Sequence, residues 1–230
     1  KADFNISLAS DRAIIIDCGG EIDVETHNKV LNIFSLLTKK TISGVINIHP
    51  AYNSLMLSLD NDVDIFGVVK KIKILISNYT FAKKGINRHT VNIPVCYDPS
   101  IGPDLMRVCK LNNLTVEDVI RIHTSKKYLV YFIGFTIGFP YLGHLDKRLY
   151  TPRLDSPRIE VSAGSIAIGG HQTGIYPFQS AGGWNLIGKT PIKVYNKDEP
   201  SKSLFKMGDE IRFVSINIDE FSELNEIQDS

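Results

Sequence analysis

From Tyr128 to about Val214 the chain consists of short apolar runs, each stopped by Gly or Pro: YLVYFIGF, SIAIGG, TGIYP, WNLIGKTP, IKVY and EIRFV. This pattern limits the possible folds more than any other feature. Helical spacing disappears after Lys127, and many short strands at turn-punctuated intervals indicate a barrel or a sandwich. A strand, VNIPVCYD, and two short helices lead into this region. One helix runs from about Pro103 to Cys109; the other opens at Thr115, where Thr115-x-x-Asp118 supplies a capping box.

The chain up to Tyr79 reads differently, as strand, strand, helix, strand, strand, helix. Ile14 to Asp17 is a β-branched run ending at Gly19-Gly20. Asp23 then caps a helix that places Val30, Leu31, Phe34 and Leu37 on one face and ends at Lys39-Lys40, near the negative end of its dipole. Gly44 to His49 and Ser54 to Leu59 are the next strands. A second helix from about Asp62 turns Phe66, Val69 and Ile76 inward and leaves Lys70, Lys71 and Lys73 in water. FAKKGINRHT, Phe81 to Thr90, breaks the periodicity and reads as a linker. The expected organisation is a small α+β domain over residues 1–82, an all-β domain with two leading helices over 91–217, and a polar, fraying tail over 218–230.

Bulk properties exclude several functions. Twenty-six Lys and Arg against 25 Asp and Glu leave a formal net charge of +1, so no whole-protein field draws in nucleic acid or an anionic membrane. Cys18, Cys96 and Cys109 are odd in number and widely spaced, which reads as reduced core thiols of a cytoplasmic protein rather than disulfides or a zinc site. No apolar run approaches the length of a membrane span.

The stretch Gly183 to Thr190, GWNLIGKT, fits the nucleotide-binding pattern G-x-x-x-x-G-K-[ST] letter for letter. That loop needs a helix after it, whereas here Pro191 and the alternating run Ile192 to Tyr195 follow, so the stretch reads as a strand. The denser signal lies around it. GFTIGFPYLGHLD sets Phe135, Phe139 and Tyr141 among glycines, and TPRLDSPR repeats Pro-Arg at Arg153 and Arg158. GGHQTGIYP and SAGGWN add His171, Gln172, Thr173, Tyr176, Trp184 and Asn185. Rings on one wall and polar groups on another, with glycines allowing close approach, make the composition of a small-molecule pocket at a barrel mouth. Each arginine reads equally as a solvated loop residue, and His171 equally as a hydrogen-bonded turn residue. His49 and His123 have no companion nucleophile or metal-ligand spacing and read as structural.

IPVCYD, GPDL, VIRIHTSKKYLVYFIGFTIGFPYLGHLD, TPRLDSPRIEVSAGSIAIGGHQTGIYP and GGWNLIGKTP closely resemble the family that contains the B subunit of 5-oxoprolinase, the allophanate hydrolase subunit 1 domain and the inhibitor of a sporulation sensor kinase. The resemblance runs over nearly the whole chain. It implies an α+β N-terminal domain followed by a cyclophilin-like β-barrel. It also implies a component that acts with a C subunit of related fold (allophanate hydrolase subunit 2-like) and a lactam-hydrolase subunit to open 5-oxoproline to L-glutamate. ATP is then a co-substrate of the complex, with no site assigned in this chain and no metal or organic cofactor. Regulation of histidine kinase autophosphorylation and a urea or allophanate pathway role are the alternatives. Carried over onto this sequence, the motifs mark Phe139, Pro140, Tyr141, Arg153, Arg158, His171, Gln172, Thr173, Tyr176, Trp184 and Asn185 as substrate-binding, with His171 the best candidate for proton transfer. Two positions depart from the family pattern: Ile137, usually Pro, and Lys189, usually Arg. A prolyl isomerase reading fails because the Phe-His-Arg run of cyclophilins is absent, and fold alone does not give function.

Overall fold

Alternating burial along Ile14-Ile16 and Leu55-Leu57-Leu59 gives the N-terminal sheet one dry face, and two helices cover it. In chain order the elements are β1 (Asn5–Ser10), β2 (Ala13–Asp17), α1 (Val24–Lys39), β3 (Val45–Pro50), β4 (Ser54–Leu59) and α2 (Ile65–Ser77). The strands pair antiparallel in the order β1-β2-β4-β3. Asp23 caps α1 by accepting the Thr26 N–H at 2.8 Å, as its acceptor side chain at that position demands. α1 buries Val30, Ile33, Leu36 and Leu37, and α2 buries Val68, Ile72 and Ile76. The expected inward Phe66 is instead 77% exposed. α2 begins at Ile65, not Asp62, and its buried stripe repeats every fourth residue from Val68, so Phe66, two residues before Val68, falls on the opposite side of the helix.

The computed structural model describes residues 4–80 and 88–229, and the chain divides into two compact units, Lys1–Asn87 and Arg88–Ser230. Most of the expected linker, Phe81 to Thr90, lies outside the described residues, and Thr90 already belongs to a strand.

The second unit contains β5 (Thr90–Cys96), α3 (Leu105–Asn112), α4 (Val116–Thr124), β6 (Lys127–Ile133), β7 (Pro140–Gly143), β8 (Arg158–Val161), β9 (Ser165–Gly169), β10 (Gln172–Ile175), β11 (Ser180–Gly182), β12 (Asn185–Lys189), β13 (Glu210–Ile216) and α5 (Ile218–Asp229). Seven of the strands close a barrel in the order β10-β7-β6-β13-β5-β12-β9, while β8 and β11 form a separate two-stranded ribbon. Closure removes the exposed edges that so many short strands would otherwise present. β5 and β13 run parallel and the other barrel pairs antiparallel. Ile93, Val95, Tyr128, Val130, Leu142, Ile166, Ile168, Ile175, Ile211 and Phe213 fill the interior, and α3 and α4 add Leu105, Val108, Val119 and Ile122 to that core. The Thr115–Asp118 capping box opens α4.

Two further expectations are corrected. Residues 218–229 form a helix rather than a fraying tail, because Asn217 and Glu220 cap it reciprocally: the Glu220 N–H donates to Asn217 Oδ1 and the Asn217 N–H to Glu220 Oε2, both at 2.9 Å. Ile192 to Tyr195 is not a strand. β12 ends at Lys189, which already faces Cys96 on one side and Ser165 on the other, and Pro191 offers no N–H to continue a ladder.

Candidate functional site

The side-chain period of a strand is two, so each barrel strand sends alternate residues into the barrel and out of its wall. Tyr141, Gly174, Ala167 and Leu186 form one outward row across β7, β10, β9 and β12, joined by the pairings Gly174↔Tyr141, Gly174↔Ala167 and Leu186↔Ala167. The next row, Leu142, Thr173, Ile168 and Asn185, faces the other way. On the outward side Phe139, Val161, Ala167, Tyr176, Trp184 and Leu186 make a second hydrophobic cluster, with Tyr141 packed against it. The pocket therefore sits on the outer wall of the barrel and not at its mouth, because the interior is already filled.

The cavity has a volume of about 270 Å³ and is lined by Phe135, Phe139, Tyr141, Arg153, Leu154, Pro157, Tyr176, Ala181, Gly182, Gly183 and Trp184. That is room for a small ligand. Phe139 is its hub, meeting Tyr141, Tyr176 and Trp184 edge-on at ring-centre distances of 5.1, 5.2 and 5.4 Å, the arrangement aromatic quadrupoles favour. Phe135 stands edge-on to Phe139 at 5.7 Å from a backbone with φ 63°, a left-handed conformation uncommon for a bulky residue. The rings come this close because glycines stand opposite them: a Cβ on Gly169 would lie 2.5 Å from the Trp184 indole, and one on Gly174 2.7 Å from the Phe139 ring.

The polar groups of the cavity are few. The Arg153 guanidinium lies 5.6 Å from the Trp184 ring centre, a cation–π contact at the rim. Burial pushes the Tyr141 phenol up, against a lowering influence from Arg153. Burial likewise raises Tyr176, against the Trp184 backbone N–H that donates to its oxygen. Both phenols keep their protons at neutral pH and remain hydrogen-bond donors. The wall can thus grip a flat ring between aromatic edges, pair an anion with a guanidinium and donate from phenols.

Of the residues marked in the sequence, Phe139, Tyr141, Arg153, Tyr176 and Trp184 meet at this cavity; Pro140, Arg158, His171, Gln172, Thr173 and Asn185 do not line it. Strand alternation sends Pro140, Thr173 and Asn185 to the other face. Thr173 is fully buried, accepting from His123 Nε2 and donating to the Ala167 carbonyl. Gln172 pairs with Gly169 at the start of β10. His171 sits exposed at the tip of the two-residue turn between β9 and β10, its ring 6.0 Å from that of Tyr150, and does not line the cavity. Arg158 Nη2 donates at 2.7 Å to Asp104, whose second oxygen accepts the Leu186 N–H at 2.7 Å. This buried carboxylate ties α3 to the ribbon and to β12. Phe135, Gly182 and Gly183, which the sequence sets in the pocket region without marking them as substrate-binding, also line the cavity, whereas Leu154, Pro157 and Ala181 were missed. Leu154 and Pro157 lie on the segment between β7 and β8, and Ala181 on the two-stranded ribbon, outside the barrel strands whose period the sequence shows.

Among the described residues no group of three or more His, Cys, Asp and Glu could hold a metal ion, and no helix is long and apolar enough to cross a membrane. Residues 4–205 match the family described as carboxyltransferase domain, subdomain C and D. A protein of Bacillus subtilis (strain 168), named as the B subunit of 5-oxoprolinase, is 37% identical over 228 residues, which cover 93% of this chain and 93% of that one. The crystal structure of TTHA0988 is 32% identical with a TM-score of 0.77 over 90% of this chain, and the chain spans only 40% of that longer protein. Urea carboxylase of Kluyveromyces lactis has a TM-score of 0.81 over 98% of this chain and 23% of its own, at 20% identity. That last likeness speaks for the fold alone.

Proposed function

The chain belongs to the carboxyltransferase-domain family and, within it, to the 5-oxoprolinase B-subunit proteins, and on that premise we propose that it is the B subunit of an ATP-dependent 5-oxoprolinase. In this reading it acts in the cytoplasm with a C subunit of related fold and a lactam-hydrolase subunit. Together they open 5-oxoproline to L-glutamate, with ATP as co-substrate of the complex and this chain inactive alone. The barrel is of the cyclophilin-like kind. The observation that carries the reading is the 37% identity over 93% of both chains to a protein of that name.

The cavity is suited to such a substrate. A five-membered lactam is flat enough to lie among Phe139, Tyr141, Tyr176 and Trp184. Its carboxylate matches Arg153, whose guanidinium forks onto two oxygens. Its amide carbonyl can accept from a protonated phenol, Tyr141 or Tyr176. The lining offers no imidazole, carboxylate or thiol, so this chain binds and orients while a partner supplies the group that moves protons and the nucleotide site. A urea-pathway role is not favoured, since the named relatives of that kind are distant, at 20% identity.

Reconstitution tests the proposal. The chain alone, the chain with its neighbour-encoded partner, and the full set are assayed for 5-oxoproline-dependent ATP hydrolysis. Activity is expected only in the full set; activity unchanged by leaving this chain out would refute the assignment.

A further inference from the structure

Among the described residues that line the cavity, Arg153 is the one charged side chain, and it is exposed. A free surface arginine carries about 2 kcal/mol of rotamer entropy, so one that reads an anion selectively needs a fixed base. The structure provides such a base on both sides of the residue. Before it, the Pro152 carbonyl accepts from Asn185 Nδ2 at 2.9 Å and from Arg107 Nη1 at 3.4 Å. After it, the Leu154 N–H donates to the Gly183 carbonyl at 2.8 Å. Residues 152–154 are therefore stapled to 183–185, the segment that carries Trp184.

Asn185 is the centre of this staple, and Arg107 sets its orientation. The Asn185 side chain has no exposure, and both ends of its amide are engaged: Nδ2 also donates to the Ile168 carbonyl at 3.0 Å, and Oδ1 accepts from Arg107 Nη1. An amide can be turned over with little change of shape, exchanging acceptor for donor. A guanidinium on one side and two carbonyls on the other permit only one orientation. Arg107 stands on α3, one turn after Asp104, and does not line the cavity.

We propose that Arg107 is a positioning residue for the cavity. Acting through Asn185 and the Pro152 carbonyl, it holds Arg153 over Trp184 and so sets the preference for anionic over neutral ligands of the same shape. The ligand half of this proposal rests on the reading of the cavity as a lactam site; the positioning half does not.

Trp184 is the only tryptophan in the chain, so its emission reports the rim directly. Full-length wild type, Arg107→Ala, Arg153→Ala, the double variant and Arg107→Lys are compared, first without ligand and then titrated with 5-oxoproline and with 2-pyrrolidinone, the same ring without the carboxylate. Arg107→Ala is expected to shift the unliganded emission in the same direction as Arg153→Ala, with no further shift in the double variant. Each single variant should weaken 5-oxoproline binding on the order of tenfold, the double no more than either, as expected when one charge-assisted hydrogen bond is removed by two routes. 2-Pyrrolidinone should bind all five proteins alike, and Arg107→Lys, which keeps a cation on Asn185, should recover most of the loss. Emission unchanged in Arg107→Ala, losses that multiply in the double variant, or equal weakening of 2-pyrrolidinone would each overturn the proposal. If wild type fails to bind 5-oxoproline, the lactam reading falls, and the unliganded emission series still decides whether Arg107 positions Arg153.

Discussion

His123 makes the barrel unit acid-labile in a way that can be calculated and isolated. It is fully buried and stacks on Phe213 with ring centres 4.6 Å apart. Thr173 commits its hydroxyl proton to the Ala167 carbonyl at 3.0 Å, so toward His123 Nε2, at 2.9 Å, it can only accept. Nε2 therefore carries the ring proton, and Nδ1 accepts from the Tyr97 hydroxyl at 2.7 Å. This chain of bonds satisfies a neutral imidazole completely and leaves a second proton without a place. Burial first, and the positive charge of Lys126 second, push the His123 pKa down to about 3. The unfolded chain binds that proton near pH 6.5. Between those two values the unfolded state holds one more proton than the folded state, so stability falls as pH falls, by about 1.4 kcal/mol per pH unit. The contribution is whole above pH 6.5. About 3 kcal/mol of it should be gone by pH 4.5 and roughly 5 kcal/mol by pH 3. Urea unfolding followed at Trp184, which lies in the same unit, measures this, and a His123→Leu variant removes the titration while leaving every carboxylate in place. At pH 7.5 the variant is less stable, since Tyr97 and Thr173 lose their partner, and that gap should narrow by about 3 kcal/mol on going to pH 4.5. A gap that stays constant across the range would refute the linkage.

Other substitutions test the cavity and its supports. Gly169→Ala places a methyl 2.5 Å from the Trp184 indole; it should cost about 1–3 kcal/mol in urea unfolding, shift Trp184 emission and abolish ligand binding, as overpacking of a tight site does. His171→Ala, at an exposed turn, should leave the reconstituted activity within about twofold of wild type and the melting curve unchanged; a larger loss would return His171 to the mechanism. Asp104→Ala strips Arg158 of its partner and the Leu186 N–H of its acceptor, and should cost roughly 3 kcal/mol or more because it leaves a partly buried charge unpaired. Asp104→Asn should lie between it and wild type in the same unfolding assay.

The switch from helical spacing to short, punctuated runs at Lys127 was enough to separate an all-β region from what precedes it, because strand and helix periods differ and neither side chains nor loops disguise them. The Thr115–Asp118 capping box was legible for the same local reason. The Asn217–Glu220 box was equally local, but its polar surroundings hid it. Phe66 failed because the inward face was drawn through Phe66, Val69 and Ile76, whereas the buried stripe runs Val68, Ile72 and Ile76, and two residues of helix put Phe66 about 200° from Val68. Within the candidate site, Tyr141 lies on β7, and Phe139, Tyr176 and Trp184 each stand one residue beyond a barrel strand, in phase with its outward row. What composition could not supply was which face of the wall they shared. Applied strictly, the same alternation would have turned Pro140, Thr173 and Asn185 away from the cavity. The overhanging contributions of Phe135, Leu154 and Pro157 depend on loop paths that no periodicity encodes.

Most of GWNLIGKT has a task in the barrel wall, and those tasks leave no phosphate cradle. Gly183 lines the cavity and Trp184 closes its aromatic side. Asn185 turns inward to hold Pro152, and Ile187 enters the barrel core. Gly188 is glycine because a Cβ there would stand 2.5 Å from the Cys96 carbonyl oxygen, a demand of strand packing rather than of nucleotide binding. A phosphate cradle needs several backbone N–H groups pointing freely at one point. Here the Leu186 N–H is held by the Asp104 carboxylate and the Thr190 N–H by the Gly164 carbonyl at 2.9 Å. The carboxylate seated on the first of these would repel a triphosphate. The nucleotide of the proposed reaction must therefore bind away from this strand. What this stretch contributes to the proposed site is the indole of Trp184, which lines the cavity, and the amide of Asn185, which holds the Pro152 carbonyl beside Arg153.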